Sequence, residues 1–157
     1  MNGLKKLVGK VLFWLGYPVL WLCLHNTLRT RVLVIVGEEV LLLQSWPGNG
    51  MWSLPGGGLH KAEDPVQGAL RELREETGLE VRSKQLQSFY EGVSRHYGIH
   101  ISFICFAMEL AEKPSIKKQS FEVAEASWLP LQEVAASNAS PDVKQAVQAW
   151  LEHQNLL

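Results

Sequence analysis

The segment from residue 54 to residue 79 constrains the fold of this chain more than any other part of it. It reads LPGGGLHKAEDPVQGALRELREETGL. Asp64 is a good N-cap, Pro65 suits the first position of a helix, and Gly78 supplies a left-handed stop. The segment therefore predicts a glycine-rich loop followed by a helix over about residues 65–77.

The predicted helix has one apolar face and one acidic face. Four apolar residues recur at helical spacing and should pack against a sheet: Val66, Ala69, Leu70 and Leu73. On another face, Glu72, Glu75 and Glu76 lie within one turn, where like charges repel unless a cation lies between them. Hard divalent cations such as magnesium prefer such oxygen ligands. Taken alone, the pattern is also typical of a solvated acidic helix face.

The fixed residues of this segment resemble the signature of the Nudix hydrolases. From Gly57 to Leu79 the chain fits G-x5-E-x7-R-E-U-x-E-E-x-G-U, where U is a bulky aliphatic residue, at every fixed position. The chain is therefore identified as a member of this family from its sequence. The resemblance implies an α/β fold of the Nudix type, in which a mixed β-sheet is sandwiched between α-helices.

The resemblance also implies a reaction. Nudix hydrolases cut a diphosphate linkage in a nucleoside diphosphate joined to another group, using water activated by Mg²⁺ or Mn²⁺. Four residues are implied as metal ligands: Gly57 through its backbone carbonyl, Glu72, Glu75 and Glu76. Arg71 and Glu63 are implied to orient these ligands for catalysis. The general base stays open between the helix and two later glutamates, Glu122 and Glu125, because family members take it from either place.

Substrate contacts are less constrained by the sequence. Trp52 and Tyr97 are candidate clamps for a base, and Arg95, predicted in a loop between strands, is a candidate phosphate contact. The proline that marks ADP-ribose hydrolases is absent, whereas Tyr97 has the spacing of a tyrosine found in diadenosine-polyphosphate hydrolases. Nucleoside-diphosphate sugars, nucleoside triphosphates and dinucleoside polyphosphates all stay open. A domain that senses a nucleotide without cleaving it is an alternative, although such domains usually lose carboxylates that are present here.

Charge is distributed unevenly along the 157 residues. Residues 1–31 hold five basic and no acidic side chains, whereas the remaining residues hold 10 basic and 16 acidic ones. The net negative charge of residues 32–157 argues against binding of a nucleic-acid polymer, which requires a basic surface. Cys23 and Cys105 do not have the spacing of a metal-binding motif, and they do not form a pattern typical of disulfide-bonded domains. A reducing compartment is therefore expected. The nucleotide substrates likewise favour the cytoplasm.

Residues 1–29 are predicted to form an apolar segment with basic flanks, ahead of a Nudix domain over residues 30–157. Residues 11–24 carry no charge. A cleaved signal peptide is disfavoured by the bulky residues 22–25. A helix lying on a membrane surface through residues 4–24 is one interpretation, and a helix packed on the domain or in a homodimer is another. Membrane attachment would make this a tethered interaction module, and would make a lipid-linked diphosphate a candidate substrate.

The rest of the chain predicts strands before and after the helix. Six strands are predicted from runs of residues that are rich in β-branched side chains or whose side chains alternate between the two faces of a strand. They cover residues 31–36, 40–44, 52–54, 85–92, 100–110 and 124–129. The strand over residues 100–110 is apolar on both faces and should be central in the sheet. A short helix over residues 131–136 and a closing helix capped by Ser140 and Pro141 complete the pattern.

Overall fold

A computed structural model describes residues 3–96, 98–117 and 122–155. Its helices and strands are, in chain order, α1 (Gly3–Leu15), α2 (Tyr17–Leu24), β1 (Thr27–Val36), β2 (Glu39–Ser45), β3 (Trp52–Ser53), α3 (Pro65–Thr77), β4 (Gln87–His96), β5 (Ile99–Glu109), β6 (Val123–Pro130) and α4 (Pro141–Gln154). Short 3-10 turns cover Ser83–Gln85 and Leu131–Ala136. The predicted α/β architecture and the extra N-terminal helical segment are confirmed.

The six strands form one mixed sheet. Its order is β3-β2-β1-β5-β4, and β6 pairs with the other edge of β2. β1 and β5 run parallel, and the other pairs are antiparallel. β5 therefore lies between two strands, as its apolar faces predict. The hairpin between β1 and β2 turns at Gly37, whose φ of 58° favours glycine.

The core lies on both faces of the sheet. On one face, α4 packs through Val143, Val147 and Trp150 against β1 and β5. On the other face, α3 packs through Ala69 and Leu73 against β1 and β2. The sheet is thus sandwiched between two helices, and the acidic turn of α3 lies on the side of that helix that the core leaves uncovered.

Both ends of α3 match the prediction from its capping residues. The Asp64 carboxylate accepts hydrogen bonds from the backbone N–H groups of Val66 and Gln67, at 3.0 and 3.2 Å. Gly78 has a φ of 74° and donates its N–H to the carbonyl of Arg74. Local chemistry therefore sets the length of the helix, and with it the position of every glutamate on it.

Two strands, β1 and β4, each extend four residues beyond a predicted end. β4 continues through Arg95, which pairs with His100 of β5, so the prediction that Arg95 lies in a loop is wrong. Charged residues there resemble a loop in sequence because the strand is exposed to solvent at that end. β1 begins at Thr27, four residues early, since its parallel pairing with β5 starts there. Tyr97 lies outside the described residues.

The two N-terminal helices, α1 and α2, contact the rest of the domain. A β-carbon added to Gly9 would lie 2.8 Å from the Trp46 ring, so α1 packs closely on the loop after β2. The Trp21 indole of α2 donates a hydrogen bond to the Gly98 carbonyl at 3.1 Å. In the described part of the chain, no helix is by itself long and apolar enough to cross a bilayer. Leu7–Leu15 and Tyr17–Leu24 reach that length only together, across a 54° bend.

Candidate active site

The glycine-rich loop lies directly beside β1. The N–H groups of Thr30 and Val32 donate to the carbonyls of Gly57 and Pro55, at 2.9 and 2.8 Å. Gly56 has a φ of 137°, and a β-carbon there would lie 2.2 Å from the Thr30 carbonyl oxygen. Only glycine fits this close backbone approach. The loop thereby reaches the acidic face of α3.

Arg71 connects this loop to the glutamates. Its guanidinium donates to both carboxylate oxygens of Glu63, at 2.9 and 3.0 Å. It also donates to Glu72 Oε1 at 2.8 Å and to the Gly58 carbonyl at 3.0 Å, and it lies 3.5 Å from Glu75 Oε2. We call this set the Arg71 network. Its forked geometry is one that lysine cannot reproduce.

The network fixes the charge of its members. Hydrogen bonds from the Arg71 guanidinium and from the backbone N–H of His60 lower the pKa of Glu63 to about 2. The same contact with Glu63 raises the pKa of Arg71, although burial opposes it. Glu63 is therefore ionised at every physiological pH, and it serves as a permanent acceptor that holds Arg71 in place.

Glu76 has a different environment from the other glutamates of the helix. Its Oε2 accepts the Gly56 N–H at 2.9 Å. Burial raises the pKa of Glu76 to about 7, and the charge of Glu72 adds to the effect, whereas Arg31 and Arg29 oppose it. A carboxylate that titrates near neutrality beside a second carboxylate is a group whose ionised form a bound cation would stabilise.

Two arginines of β1 reach the site, and neither was predicted to do so. Arg31 Nε donates to Asp142 Oδ2 at 2.6 Å, in an ion pair whose side chains are about one-tenth exposed. Burial opposes the charge of Arg31, but Asp142 outweighs it and raises the pKa of Arg31. Burial, followed by the charge of Arg31, lowers the pKa of Arg29 to about 10. Among the described residues, the buried Arg29 Nε has no hydrogen-bond partner.

The signal for these arginines was present in the sequence. Arg29 and Arg31 are two residues apart near the start of β1, so both side chains point to the same face of the sheet. In the sequence they also belong to the basic flank of the N-terminal segment. Their ionic surroundings depend on Glu72, Glu76 and Asp142, which are distant in sequence.

A cavity of about 750 Å³ lies next to Arg29 and Arg31. Trp52 and Glu122 line it as well, whereas Arg95 and Glu125 do not. Arg31 connects the cavity to the acidic turn, because its guanidinium donates to the Gly56 carbonyl at 3.3 Å and the Gly56 N–H donates to Glu76. The volume is in the range of ligand sites, about 300–1,000 Å³.

The residues of the acidic turn fit a hard divalent cation by their chemistry. The donors are carboxylate oxygens, which Mg²⁺ and Mn²⁺ prefer. A β-carbon on Gly57 would lie 2.2 Å from Glu72 Oε1, so this carboxylate packs directly on the loop. In the described part of the chain, however, no three His, Cys, Asp or Glu side chains are arranged to hold an ion. Glu72 is instead turned toward Arg71, and Glu76 toward the Gly56 N–H.

Comparison with known proteins decides the family. The model of the NUDIX domain family matches residues 26–150. The chain belongs to the Nudix family. A MutT-like protein of Streptomyces ambofaciens is 37% identical over 114 residues, which cover 71% of this chain and 68% of that protein. The predicted membership and the predicted Nudix fold are thereby confirmed.

Two further known proteins are similar to this Nudix domain, one in sequence and one in structure. Nudix hydrolase 6 of Arabidopsis thaliana is 36% identical over 101 residues, which are 61% of this chain but 35% of that protein. The chain thus spans about a third of the length of this curated relative. A bifunctional NMN adenylyltransferase/ADP ribose pyrophosphatase from Francisella tularensis, complexed with AMP and a manganese ion, superposes with a TM-score of 0.70 at 25% identity. The superposition covers 95% of this chain and 48% of that one.

Proposed function

We propose that this Nudix protein hydrolyses the diphosphate linkage of a nucleoside diphosphate derivative, with Mg²⁺ or Mn²⁺ as its cofactor. The Arg71 network carries the proposal, because it joins the glycine loop to the carboxylates of α3, and the same loop accepts a hydrogen bond from Arg31, which lines a cavity of ligand size. The manganese and AMP bound to the Francisella relative support the same chemistry. An acidic face that served only solubility would not need this set of hydrogen bonds.

The proposed metal ligands are the ones implied by the family pattern: Gly57 through its carbonyl, Glu72, Glu75 and Glu76. When bound, the metal supplies an activated water and neutralises charge on the phosphates. Arg71 and Glu63 hold the glycine loop and Glu72 at fixed positions. If the general base comes from outside the helix, it is Glu122 rather than Glu125, because Glu122 lines the cavity.

Arg29 and Arg31 are the proposed contacts to the substrate phosphates. Both are charged, both line the cavity, and Arg29 has a buried donor free to bind an anion. Trp52 is the proposed apolar contact, since it lines the same cavity from β3. Contacts from Arg95 and Tyr97 stay predictions from the sequence.

Turnover of a substrate panel tests the proposal. We expect purified protein with Mg²⁺ or Mn²⁺ to release nucleoside monophosphate or phosphate from at least one compound among ADP-ribose, diadenosine tetraphosphate, nucleoside-diphosphate sugars and nucleoside triphosphates. Chelation with EDTA should remove the activity, and restoring the metal should return it. Binding of a panel compound without any product would contradict the proposal and favour the sensing alternative.

We also propose that residues 4–24 contact a membrane surface while the catalytic domain, residues 30–157, faces the cytoplasm, where its substrates are. Several apolar side chains of the N-terminal helices are exposed: Leu4 (68%), Leu7 (61%), Val11 (49%) and Leu22 (73%). The first 31 residues carry no acidic side chain, which suits anionic lipid.

Vesicle flotation tests this contact. Full-length protein should float with anionic vesicles and much less with zwitterionic ones, and removal of residues 1–28 should abolish flotation. If the full chain stays unbound with both vesicle types, the membrane proposal is wrong. Doubling of its mass in solution would then assign the exposed surface to a homodimer.

A further inference from the structure

The cavity has two chemically different sides. Arg29, Arg31 and Asp142 form a charged side close to the glutamates of α3. The part of the lining that comes from the N-terminal helices, which we call the apolar side, contains only apolar residues: Leu12, Phe13, Gly16, Val19 and Leu24. Trp46 and Trp52 also line the cavity and contribute aromatic surface. The cavity is therefore suited to a ligand that is anionic at one end and apolar at the other.

We infer that the N-terminal helices are part of the substrate site and that the group carried by the diphosphate is a hydrocarbon chain. This inference rests on the proposed function and names its substrate class, a nucleoside diphosphate esterified with an alkyl or prenyl chain. The diphosphate would contact Arg29 and Arg31, and the chain would lie against Phe13 and Val19.

Hydrogen-bonding capacity distinguishes a chain from a sugar on the apolar side. A sugar loses its hydrogen bonds to water on entering a cavity and needs protein partners in return. The cavity-lining side chains of the N-terminal helices supply none. A hydrocarbon chain gains from the same surface, since each buried methylene raises affinity about fourfold.

The reaction on such a substrate is an ordinary hydrolysis. Water attacks one phosphorus and adds its hydroxyl there, the P–O–P bridge breaks, and the remaining proton ends on the bridging oxygen of the leaving phosphate. The products are a nucleoside monophosphate and an alkyl phosphate. No oxidant or further reactant is needed.

The same helices offer a route for a chain that resides in a bilayer. Leu22 of α2 is 73% exposed, whereas Val19 of the same helix lines the cavity. The helix thus joins an apolar outer surface to the apolar side of the cavity. A chain held in lipid could reach the diphosphate centre along this surface without entering water.

A chain-length series tests the inference. The substrates are ADP esters of ethanol, hexanol and decanol, used below their micelle concentrations and without lipid, alongside ADP-ribose. We expect kcat/KM to rise about twofold to fourfold per methylene until the cavity is filled. Phe13→Ser should lower kcat/KM for the decyl ester at least about tenfold and leave ADP-ribose within about twofold. Leu15→Ser is the matched control, because Leu15 is 74% exposed and does not line the cavity.

Binding provides a second measurement that does not depend on turnover. A methylene-bridged decyl analogue should quench the fluorescence of the cavity tryptophans, and Val19→Ser, a milder change than Phe13→Ser, should weaken its binding selectively. Equal kcat/KM along the series, or equal losses for Phe13→Ser and Leu15→Ser, would overturn the inference while the diphosphatase activity stands. Failure to hydrolyse any member of the series and any compound of the substrate panel would instead overturn the proposed function and the inference with it.

Discussion

Glu76→Gln is expected to lower metal-dependent turnover by about three orders of magnitude or more, because a neutral amide is a poor ligand for a cation that is worth several kcal/mol to the transition state. The fold should stay intact. Glutamine has nearly the same shape, and its amide oxygen can still accept the Gly56 N–H that now bonds Glu76 Oε2. Steady-state kinetics with Mg²⁺ and circular dichroism measure the two effects. Retention of most of the wild-type rate would remove Glu76 from the site.

The same substitution should stabilise the metal-free protein at neutral pH. The pKa of Glu76 rises from 4.5 to about 7 on folding because the carboxylate is buried. Its protonated form therefore favours the fold below pH 4.5, and this contribution is lost as the pH rises through 7. Above that pH the ionised group costs up to about 3 kcal/mol, which glutamine does not incur.

Chemical denaturation in EDTA at pH 5 and at pH 8 measures this difference. The wild-type protein should lose free energy of unfolding between the two values, and Glu76→Gln should lose much less. Glu112→Gln, an exposed substitution in the connection after β5, is the control and should behave as wild type. If Glu76→Gln and wild type show the same pH dependence, the buried carboxylate is not the cause.

Arg71→Ala is expected to lower both the stability and the activity of the protein. Its removal leaves Glu63, Glu72 and the Gly58 carbonyl without their shared donor, and the Arg71 side chain is 17% exposed. Breaking the mostly buried hydrogen bonds of the Arg71 network should lower the free energy of unfolding by about 2–4 kcal/mol. Turnover should fall by about 100-fold or more, because Glu72 and the loop lose their fixed geometry.

Two further substitutions make this prediction specific. Arg74→Ala removes an exposed arginine from the same helix and should change neither quantity by much. Arg71→Lys keeps the charge but cannot bind both oxygens of Glu63, so it should recover part of the stability and little of the activity. Equal effects of Arg71→Ala and Arg74→Ala would mean that the Arg71 network does not organise the site.

The sequence predicts most accurately those features of the fold that depend on contacts between residues close together in the chain. Asp64, Pro65 and Gly78 set the ends of α3 through contacts within a few residues, so the helix over residues 65–77 is recovered to the residue. The glycine loop and the spacing of the glutamates follow from the same short segment. Of the sheet order, only the position of β5 between two other strands was predicted, from its two apolar faces.

Contacts between distant parts of the chain could not be predicted in this way. Asp142 follows the capping residues of α4 in the sequence, but it is the partner of Arg31, 111 residues away. Two other contacts depend on how β1 places its first residues beside the glycine loop. They are the approach of Arg29 to the glutamates of α3 and the contact of the N-terminal helices with the cavity. Spacing along the chain carries no information about such pairs.

The acidic turn of α3 is proposed to hold a divalent cation that acts on a diphosphate. Mn²⁺ titration followed by electron paramagnetic resonance, with a methylene-bridged diphosphate analogue present, tests it most directly. We expect saturable Mn²⁺ binding to the wild-type protein, competition by Mg²⁺, and a large loss of affinity in Glu72→Gln and Glu76→Gln but not in Glu112→Gln. Absence of bound Mn²⁺ in the folded wild-type protein, or binding that both substitutions leave unchanged, would contradict it.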